Sequence, residues 1–309
     1  MIEIKNLVKR FGSTTILDGV SFSVEKGEIL GFLGPNGAGK STTMKIITSF
    51  WSPTAGSVVI DGIDVADDSI ATRKKIGYLP ETVPLYDDMR VYEYLKFIAE
   101  IRGIEKDALK TRIREVVEAC NLKNVLKKPI DELSKGYRQR VGLAQAIMHN
   151  PDVLILDEPT TGLDPNQIIE IRELIKKIGR EKTVIFSTHI LSEVEATCDR
   201  AIIINNGKII IEGVPSELSK KIGGGEIIYV KIRGDKSAVE NALRGMENVE
   251  KVEFKDSESA DIHGYEITPK AGVDLREYLS MTVMNNGWSI LEFNKKVVSL
   301  EDVFRELTK

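Results

Sequence analysis

A glycine-rich run between an apolar strand and a helix offers the clearest chemistry in this sequence. It reads GPNGAGKS over residues 34–41 and fits the pattern GxxxxGK[ST]. Glycines let backbone N–H groups turn inward around a phosphate, and the following helix adds its positive end. Lys40 is then placed to reach the β- and γ-phosphate oxygens, and the Ser41 hydroxyl to bind Mg²⁺. The alternative is a purely structural turn. The residues of this predicted phosphate site are Gly34, Pro35, Asn36, Gly37, Ala38, Gly39, Lys40, Ser41 and Thr42.

Two adjacent carboxylates follow a second apolar strand, VLILD. They are Asp157 and Glu158, and ligands of α/β sheets lie at such carboxyl ends of strands. We predict that Asp157 holds Mg²⁺ through water. Glu158 points to the other face, where it can accept a proton from water that attacks the γ-phosphate. An acidic pair alone is more often a solvated strand end, so this prediction depends on the phosphate loop upstream.

A third block, LSKGYRQR over residues 133–140, opens a helix between the other two. A serine at this point is commonly a helix N-cap and needs no ligand. Together, however, the three blocks resemble those of the ATP-binding cassette (ABC) ATPases, whose signature motif is most often LSGGQ. The resemblance covers residues 1 to about 220. It implies ATP and Mg²⁺ as cofactors and ATP hydrolysis as the activity.

The resemblance also implies roles for single residues. Phe11 corresponds to the aromatic on which adenine stacks, with a core aromatic at a strand end as the alternative. Asp164 lies in the sequence Gly-Leu-Asp that resembles the loop communicating between two sites of a dimer, although a simple turn before Pro165 explains it equally. His189 corresponds to the switch histidine that contacts the γ-phosphate.

Two departures from the family pattern are visible. Lys135 and Tyr137 replace a glycine and the glutamine of LSGGQ, whereas Ser134 and Gly136, which we expect to face the nucleotide, are kept. Glu81 stands where the family usually has glutamine. A Mg²⁺ ion would tolerate this anion, but a γ-phosphate about 4 Å away would repel it by about 4 kcal/mol. We therefore predict that Glu81 lies on the Mg²⁺ side of the site or couples the chain to a permease, and that it is not the base.

Partners follow from the same resemblance. A signature helix lies too far from its own phosphate loop, so Ser134 of one chain is expected to complete the site of another, in a homodimer or heterodimer. A separate permease would dock in a groove between the helical insert and the main sheet, near residues 81–86. That arrangement places the chain on the cytoplasmic face of the cell membrane. The resemblance thus implies an ATP-hydrolysing subunit that powers a membrane exporter by ATP-driven dimerisation. The alternative is a soluble ABC ATPase of a remodelling complex without transport.

The elements that must position these residues indicate an α/β core. The segments SVVID (57–61), VLILD (153–157), TVIFST (183–188) and AIIIN (201–205) predict strands of a buried, mostly parallel sheet. The alternating N-terminal segments predict an antiparallel β layer beside it. A helical periodicity predicts an inserted subdomain over about 82–150. This α/β organisation agrees with the fold that the resemblance implies, the P-loop core of ABC ATPases over residues 1–220.

Residues 221–309 are predicted to form a separate C-terminal α+β domain. The glycines of KKIGGGE suggest a joint, and the element order βαββαβ is ferredoxin-like. The closing SLEDVFRELTK predicts a helix capped by Ser299. The domain resembles one in the exporter branch with drug, sodium-extrusion and gliding-motility ATP-binding subunits. Its role is either dimer stabilisation or regulation, or simple packing.

Composition limits the other function classes. The net charge is −4, so no overall positive field attracts nucleic acid, and we expect no nucleic-acid partner. No apolar run approaches the roughly 18 residues that span a bilayer, and the N-terminus lacks the apolar stretch of a signal peptide. The sequence therefore predicts a chain that neither spans a membrane nor is secreted.

Overall fold

The computed structural model describes residues 1–221, 226–270 and 273–297. The chain divides into two compact units, one ending at Pro215 and the other beginning at Ser216. The triple glycine of the predicted joint and the predicted C-terminal helix at Ser299 lie outside the described residues. The domain division at residue 220 stays a prediction.

The first unit is a mixture of strands and helices. Its strands are β1 (Ile2–Phe11), β2 (Thr14–Val24), β3 (Ile29–Leu33), β4 (Ala55–Ile60), β5 (Ile63–Asp64), β6 (Ile76–Leu79), β7 (Val153–Asp157), β8 (Thr183–Thr188), β9 (Arg200–Asn205) and β10 (Lys208–Gly213). Its helices are α1 (Lys40–Ile47), α2 (Ser69–Lys75), α3 (Val91–Ile101), α4 (Lys106–Ala119), α5 (Lys135–Ile147), α6 (Pro165–Gly179) and α7 (Leu191–Thr197), with a 3-10 turn at Lys123–Val125. None of the described helices is long and apolar enough to cross a membrane.

A six-stranded sheet with the order β10-β9-β3-β8-β7-β6 forms the centre of this unit. Every neighbouring pair is parallel except β10 with β9. Strands β3, β7 and β8 are buried at every residue, because other layers cover both faces of the sheet. The structure thus confirms a buried, mostly parallel sheet, and it brings the ends of β3, β7 and β8 side by side.

A four-stranded antiparallel sheet, β2-β1-β4-β5, lies beside it and confirms the predicted β layer. It includes residues 57–60, so the prediction of SVVID as a strand of the parallel sheet is wrong. In β4 only Val58 and Ile60 are buried, and both pair with β1. One buried face is typical of an antiparallel strand, and a short apolar run does not distinguish the two cases.

The helical insert consists of α3, α4 and α5. Alternate residues of β7 connect it with the antiparallel layer: Leu154 and Leu156 enter the core that includes the insert, and Val153 and Ile155 enter the core that includes β1 and β2. Both layers therefore pack on the strand that ends in the predicted carboxylate pair.

The second unit is a smaller α+β structure. Helix α8 (Pro215–Lys221) begins where the first unit ends, and the rest is β11 (Glu226–Arg233), α9 (Lys236–Arg244), β12 (Val249–Ser257), β13 (Ile262–Pro269), α10 (Arg276–Asn285) and β14 (Ser289–Val297). Its antiparallel sheet has the order β12-β13-β11-β14. The order βαββαβ is confirmed as a ferredoxin-like arrangement.

Candidate nucleotide-binding and hydrolysis site

The predicted phosphate loop connects the buried strand β3 with α1. Gly37 and Gly39 have φ values of 81° and 108°, in the left-handed region that favours glycine. A Cβ atom at Gly39 would lie 2.6 Å from Leu17 Cδ2, and one at Gly34 would lie 2.5 Å from the Ile204 carbonyl oxygen. The loop conformation and its close packing therefore require glycine at these positions, and the loop ends at the first turn of α1 as the sequence predicts.

Lys40 is buried at the start of α1, with only 5% of its surface exposed. Its ammonium donates hydrogen bonds to the carbonyl oxygens of Gly34, at 2.7 Å, and Pro35, at 3.2 Å. It also lies 3.2 Å from Glu158 Oε1. The loop thus holds a cation beside the carboxylate that the sequence predicts as the base.

Asp157 lies at the end of β7 and accepts two hydroxyl hydrogen bonds at one oxygen. Ser41 Oγ donates to Asp157 Oδ1 at 3.0 Å, and Ser187 Oγ donates to it at 2.6 Å. Burial raises the pKa of Asp157, the two hydrogen bonds oppose that shift, and the charges of Glu81 and Glu158 add to it. Mg²⁺ prefers oxygen ligands, and a carboxylate beside a hydroxyl supplies them, so Ser41 and Asp157 fit this ion.

Glu158, directly after Asp157, has a strained backbone conformation. Its φ is 49°, which is unusual for a residue other than glycine, and its N–H donates to Ser187 O at 3.2 Å and Ser187 Oγ at 3.0 Å. The side chain is buried, and its Oε2 accepts a hydrogen bond from Thr161 Oγ1 at 3.1 Å. The hydrogen bonds to Ser187 hold this strained conformation, in which the carboxylate is aimed at Lys40.

His189 follows β8, and its Nδ1 lies 2.9 Å from Glu158 Oε2. A carboxylate oxygen only accepts hydrogen bonds, so Nδ1 carries the proton in this contact and Nε2 is left for another partner. The imidazole side chain is 43% exposed. The structure therefore brings Lys40, Glu158 and His189 into one line of contacts.

A cavity of about 410 Å³ lies at the phosphate loop, beside Lys40 and Glu158. It is lined by Phe11, Ile16, Asn36, Gly37, Gly39, Lys40, Ser41, Thr42, Glu81 and Glu158. Phe11 is 43% exposed, which contradicts the alternative of a core aromatic, and its ring makes an edge contact with Trp51 at a centroid distance of 4.9 Å. Glu81 is exposed and lines the cavity, and its charge raises the pKa of Asp157.

The signature residues are not among those that line this cavity. Ser134 is the exposed N-cap of α5, and its Oγ accepts a hydrogen bond from Tyr137 N at 3.5 Å. Gly136 is buried, and a Cβ atom there would lie 2.7 Å from Gln167 Cδ. Within one chain, Ser134 and Gly136 serve the helix start and its packing, and their contact with a nucleotide of a second chain stays a prediction.

Asp164 also has a structural use within the chain. It caps α6, because its Oδ1 accepts a hydrogen bond from Gln167 N at 3.0 Å and Pro165 occupies the first turn. Gly162, just before it, has a φ of 71°, and a Cβ atom there would overlap the side chain of Lys135. Communication between two sites through this loop stays a prediction.

Two side chains at the site carry roles that sequence reasoning missed. Ser187 binds Asp157 and the backbone of Glu158, and Thr161 binds the Glu158 carboxylate. Ser187 lies opposite Asp157 because β7 and β8 are parallel neighbours in that register. In the sequence, Asp157 and Ser187 are visible only as polar residues at the ends of two apolar strands. The register between these strands cannot be read from the sequence.

Known proteins resemble this chain. The family model described as ABC transporter matches residues 17–161. The linearmycin resistance ATP-binding protein LnrL of Bacillus subtilis (strain 168) is 36% identical over 253 residues, which cover 82% of this chain and 81% of the relative. The Nod factor export ATP-binding protein I of Burkholderia orbicola (strain AU 1054) is 33% identical over 308 residues, covering 99% and 96%.

Solved structures agree with the sequence relatives. A dimeric ATP-binding cassette in a post-hydrolysis state, bound to ADP and Pi, has a TM-score of 0.64 and 28% sequence identity; the match covers 70% of this chain and 99% of that chain. The fold, the phosphate loop and these relatives lead to one conclusion. The chain belongs to the ABC transporter family, as an ATP-binding subunit that hydrolyses ATP.

Proposed function

We propose that this chain powers a membrane exporter as one of a pair of ATPase subunits. The observation that supports the proposal most is the line of contacts from Lys40 through Glu158 to His189, at the cavity over the phosphate loop. It combines a phosphate-binding cation with a base and a histidine. Relatives named for linearmycin resistance and for Nod factor export support export as the direction.

The same contacts suggest how nucleotide binding prepares the base. Lys40 is shared between the loop carbonyls and Glu158 Oε1, which lies 3.2 Å from its ammonium. A phosphate is a stronger partner for the ammonium than a single carboxylate contact, so it draws Lys40 away from Glu158. Oε1 is then free to accept the proton of the attacking water, while Thr161 and His189 hold Oε2 in place.

Mg²⁺ is the cofactor that Ser41 and Asp157 would hold, and it would neutralise charge that develops on the phosphate oxygens. Ser187 keeps the Asp157 carboxylate in position through its 2.6 Å hydrogen bond. Phe11, which lines the same cavity, would offer its ring to the adenine.

Glu81 is proposed to act on the Mg²⁺ side of the site or in coupling to the permease, and not as the base. It is exposed, whereas Glu158 is buried beside Lys40. Glu81→Gln should therefore retain most of the basal ATPase activity, measured as phosphate release at saturating ATP. A loss as large as that of Glu158→Gln would show that the two glutamates have the opposite roles.

A second groove is a candidate docking surface for the permease, although its lining includes none of residues 81–86, near which the sequence predicts docking. It has a volume of about 610 Å³ and lies between α3 of the insert and the region of α1 and α2. Three exposed apolar side chains line it, Phe50 at 67%, Ile70 at 64% and Ile101 at 64%. The lining cations Arg73, Lys74 and Arg102 make no ion pair within the described part of the chain. An amphipathic segment with acidic residues fits this chemistry.

Capture from membranes tests both the function and the groove. The tagged chain should retain an integral-membrane protein from detergent-solubilised membranes of its own cells. After reconstitution in liposomes, that protein should raise the ATPase rate, and Arg73→Glu with Lys74→Glu should remove the increase while the rate of the chain alone changes less than about twofold. The matched control is Lys110→Glu, at an exposed lysine on α4.

One result would contradict the export function, and another would contradict the docking groove. Retention of ribosomal or chromosomal complexes without any membrane protein would favour the alternative of a remodelling ATPase. Normal stimulation in the doubly reversed variant would leave export standing but would move the permease contact away from Arg73 and Lys74.

A further inference from the structure

A buried carboxylate outside all the sequence motifs lies close to the switch histidine. Glu193, on α7, is 1% exposed, and its Oε2 accepts a hydrogen bond of 2.6 Å from Thr188 Oγ1. Its other oxygen, Oε1, is buried without a hydrogen-bond partner, and within the described residues Glu193 makes no ion pair. Burying a carboxylate with so few partners is costly, so its persistence at this place calls for a use in the site.

Thr188 is the residue that connects Glu193 with the site. It is fully buried at the end of β8, immediately before His189. Its Oγ1 accepts a hydrogen bond of 3.0 Å from the N–H of Ile190, and its carbonyl oxygen accepts one of 3.3 Å from the N–H of Gly34. The backbone is thus fixed on both sides of His189 and is connected to the first residue of the phosphate loop.

Helix α7 provides a firm support for Glu193, because it packs directly on β3. A Cβ atom at Gly31 of β3 would lie 2.6 Å from Cys198 Sγ and 3.2 Å from Val194 Cγ1. Such close approach leaves the helix little freedom to move against the strand. Glu193 is therefore held at a set distance from the strand that leads into the phosphate loop.

We propose that Glu193 and Thr188 are positioning residues that hold His189 in register with Glu158 and the phosphate loop. The inference rests on the role proposed above for His189. The Glu193–Thr188 hydrogen bond fixes the rotamer of Thr188, and the Thr188 hydroxyl in turn holds the N–H of Ile190. His189, which carries the imidazole, lies between these two residues. Displacement of a catalytic group by about 1 Å is enough to cost about 10²-fold in rate.

Thr188→Val tests this chain of contacts, because valine has nearly the same shape and lacks the hydroxyl. We expect kcat for ATP hydrolysis to fall by about tenfold or more, with KM and the ATP dissociation constant within about twofold of the parent. Thr188→Ser keeps the hydroxyl and should restore kcat to within about threefold. Glu193→Gln, which keeps one acceptor oxygen, should lie between the two, and it provides a second variant if Thr188→Val folds poorly.

A double-mutant cycle with His189→Ala separates positioning from general damage. If Thr188 acts through His189, adding Thr188→Val to His189→Ala should lower kcat by less than about twofold. Independent losses that multiply in the double variant would overturn the inference, as would a weakened ATP affinity of Thr188→Val, which would indicate damage to the phosphate loop. If Thr188→Val is fully active and His189→Ala is inactive, the positioning role of Thr188 is refuted and the proposed role of His189 stands. Full activity of His189→Ala itself would refute both the proposed role of His189 and this inference.

Discussion

Glu158→Gln is expected to bind ATP within about twofold of the parent chain and to hydrolyse it about 10² to 10⁴ times more slowly. Glutamine has the size of glutamate and keeps an acceptor oxygen for Thr161, but it does not take up a proton from water. Lys40→Ala should instead affect the binding of ATP directly. It removes the buried ammonium, so ATP binding itself should weaken by about tenfold or more.

Equilibrium titration with ATP and phosphate release under single-turnover conditions distinguish the two variants. Glu195→Gln, at an exposed glutamate of α7, is the matched control for Glu158→Gln and should behave like the parent. Thermal unfolding of each variant shows whether it is folded. Turnover of Glu158→Gln at the parent rate would remove Glu158 from the position of the base.

The second large effect concerns association between chains. In the Glu158→Gln background, ATP with Mg²⁺ should drive dimer formation in sedimentation experiments, because hydrolysis no longer releases the bound nucleotide. Ser134→Arg should abolish this dimer. Ser134 is exposed at the start of α5 and away from the cavity of its own chain, so a bulky cation there obstructs a second chain and not the first.

A matched substitution and a mixing experiment make this test sharper. Ser259→Arg adds the same cation at an exposed serine of the second unit and should leave the ATP-dependent dimer intact. Mixing Ser134→Arg with Lys40→Ala should recover activity from two inactive chains, since one composite site then contains an intact Lys40 and an intact Ser134. An active protein that is monomeric at all concentrations would exclude the composite site. A constitutive dimer held by residues 226–309 would leave the composite site standing and would move the oligomerisation role to the C-terminal domain.

Local chemistry explains which parts of the site could be predicted from the sequence. A phosphate loop needs glycines, a lysine and a hydroxyl at fixed spacing along one segment. Residues 34–41 could therefore be predicted as a phosphate loop from the sequence alone. The strand that ends in Asp157 and Glu158 is similarly readable, because a fully apolar run indicates burial on both faces. In both cases all the information lies within one short stretch of chain.

Contacts between distant segments could not be predicted in the same way. Ser187 meets Asp157 only through the register of the parallel pair β7 and β8, although the two residues lie 30 positions apart in the sequence. The prediction for the strand at residues 57–60 was wrong for a related reason. Its apolar residues fit either sheet, and only its partner strand β1 decides which face is buried.

The left-handed backbone conformation of Glu158 lowers the stability of the fold at a residue that the proposed activity requires. A residue other than glycine in that conformation costs about 1 kcal/mol or more, and the chain retains it at the position of the proposed base. Glycine or asparagine would relieve that cost and would remove the carboxylate at the same time. Directed evolution under selection for heat resistance alone would therefore drift towards cassettes that fold well and no longer turn over, and such a programme needs an ATPase assay in every round.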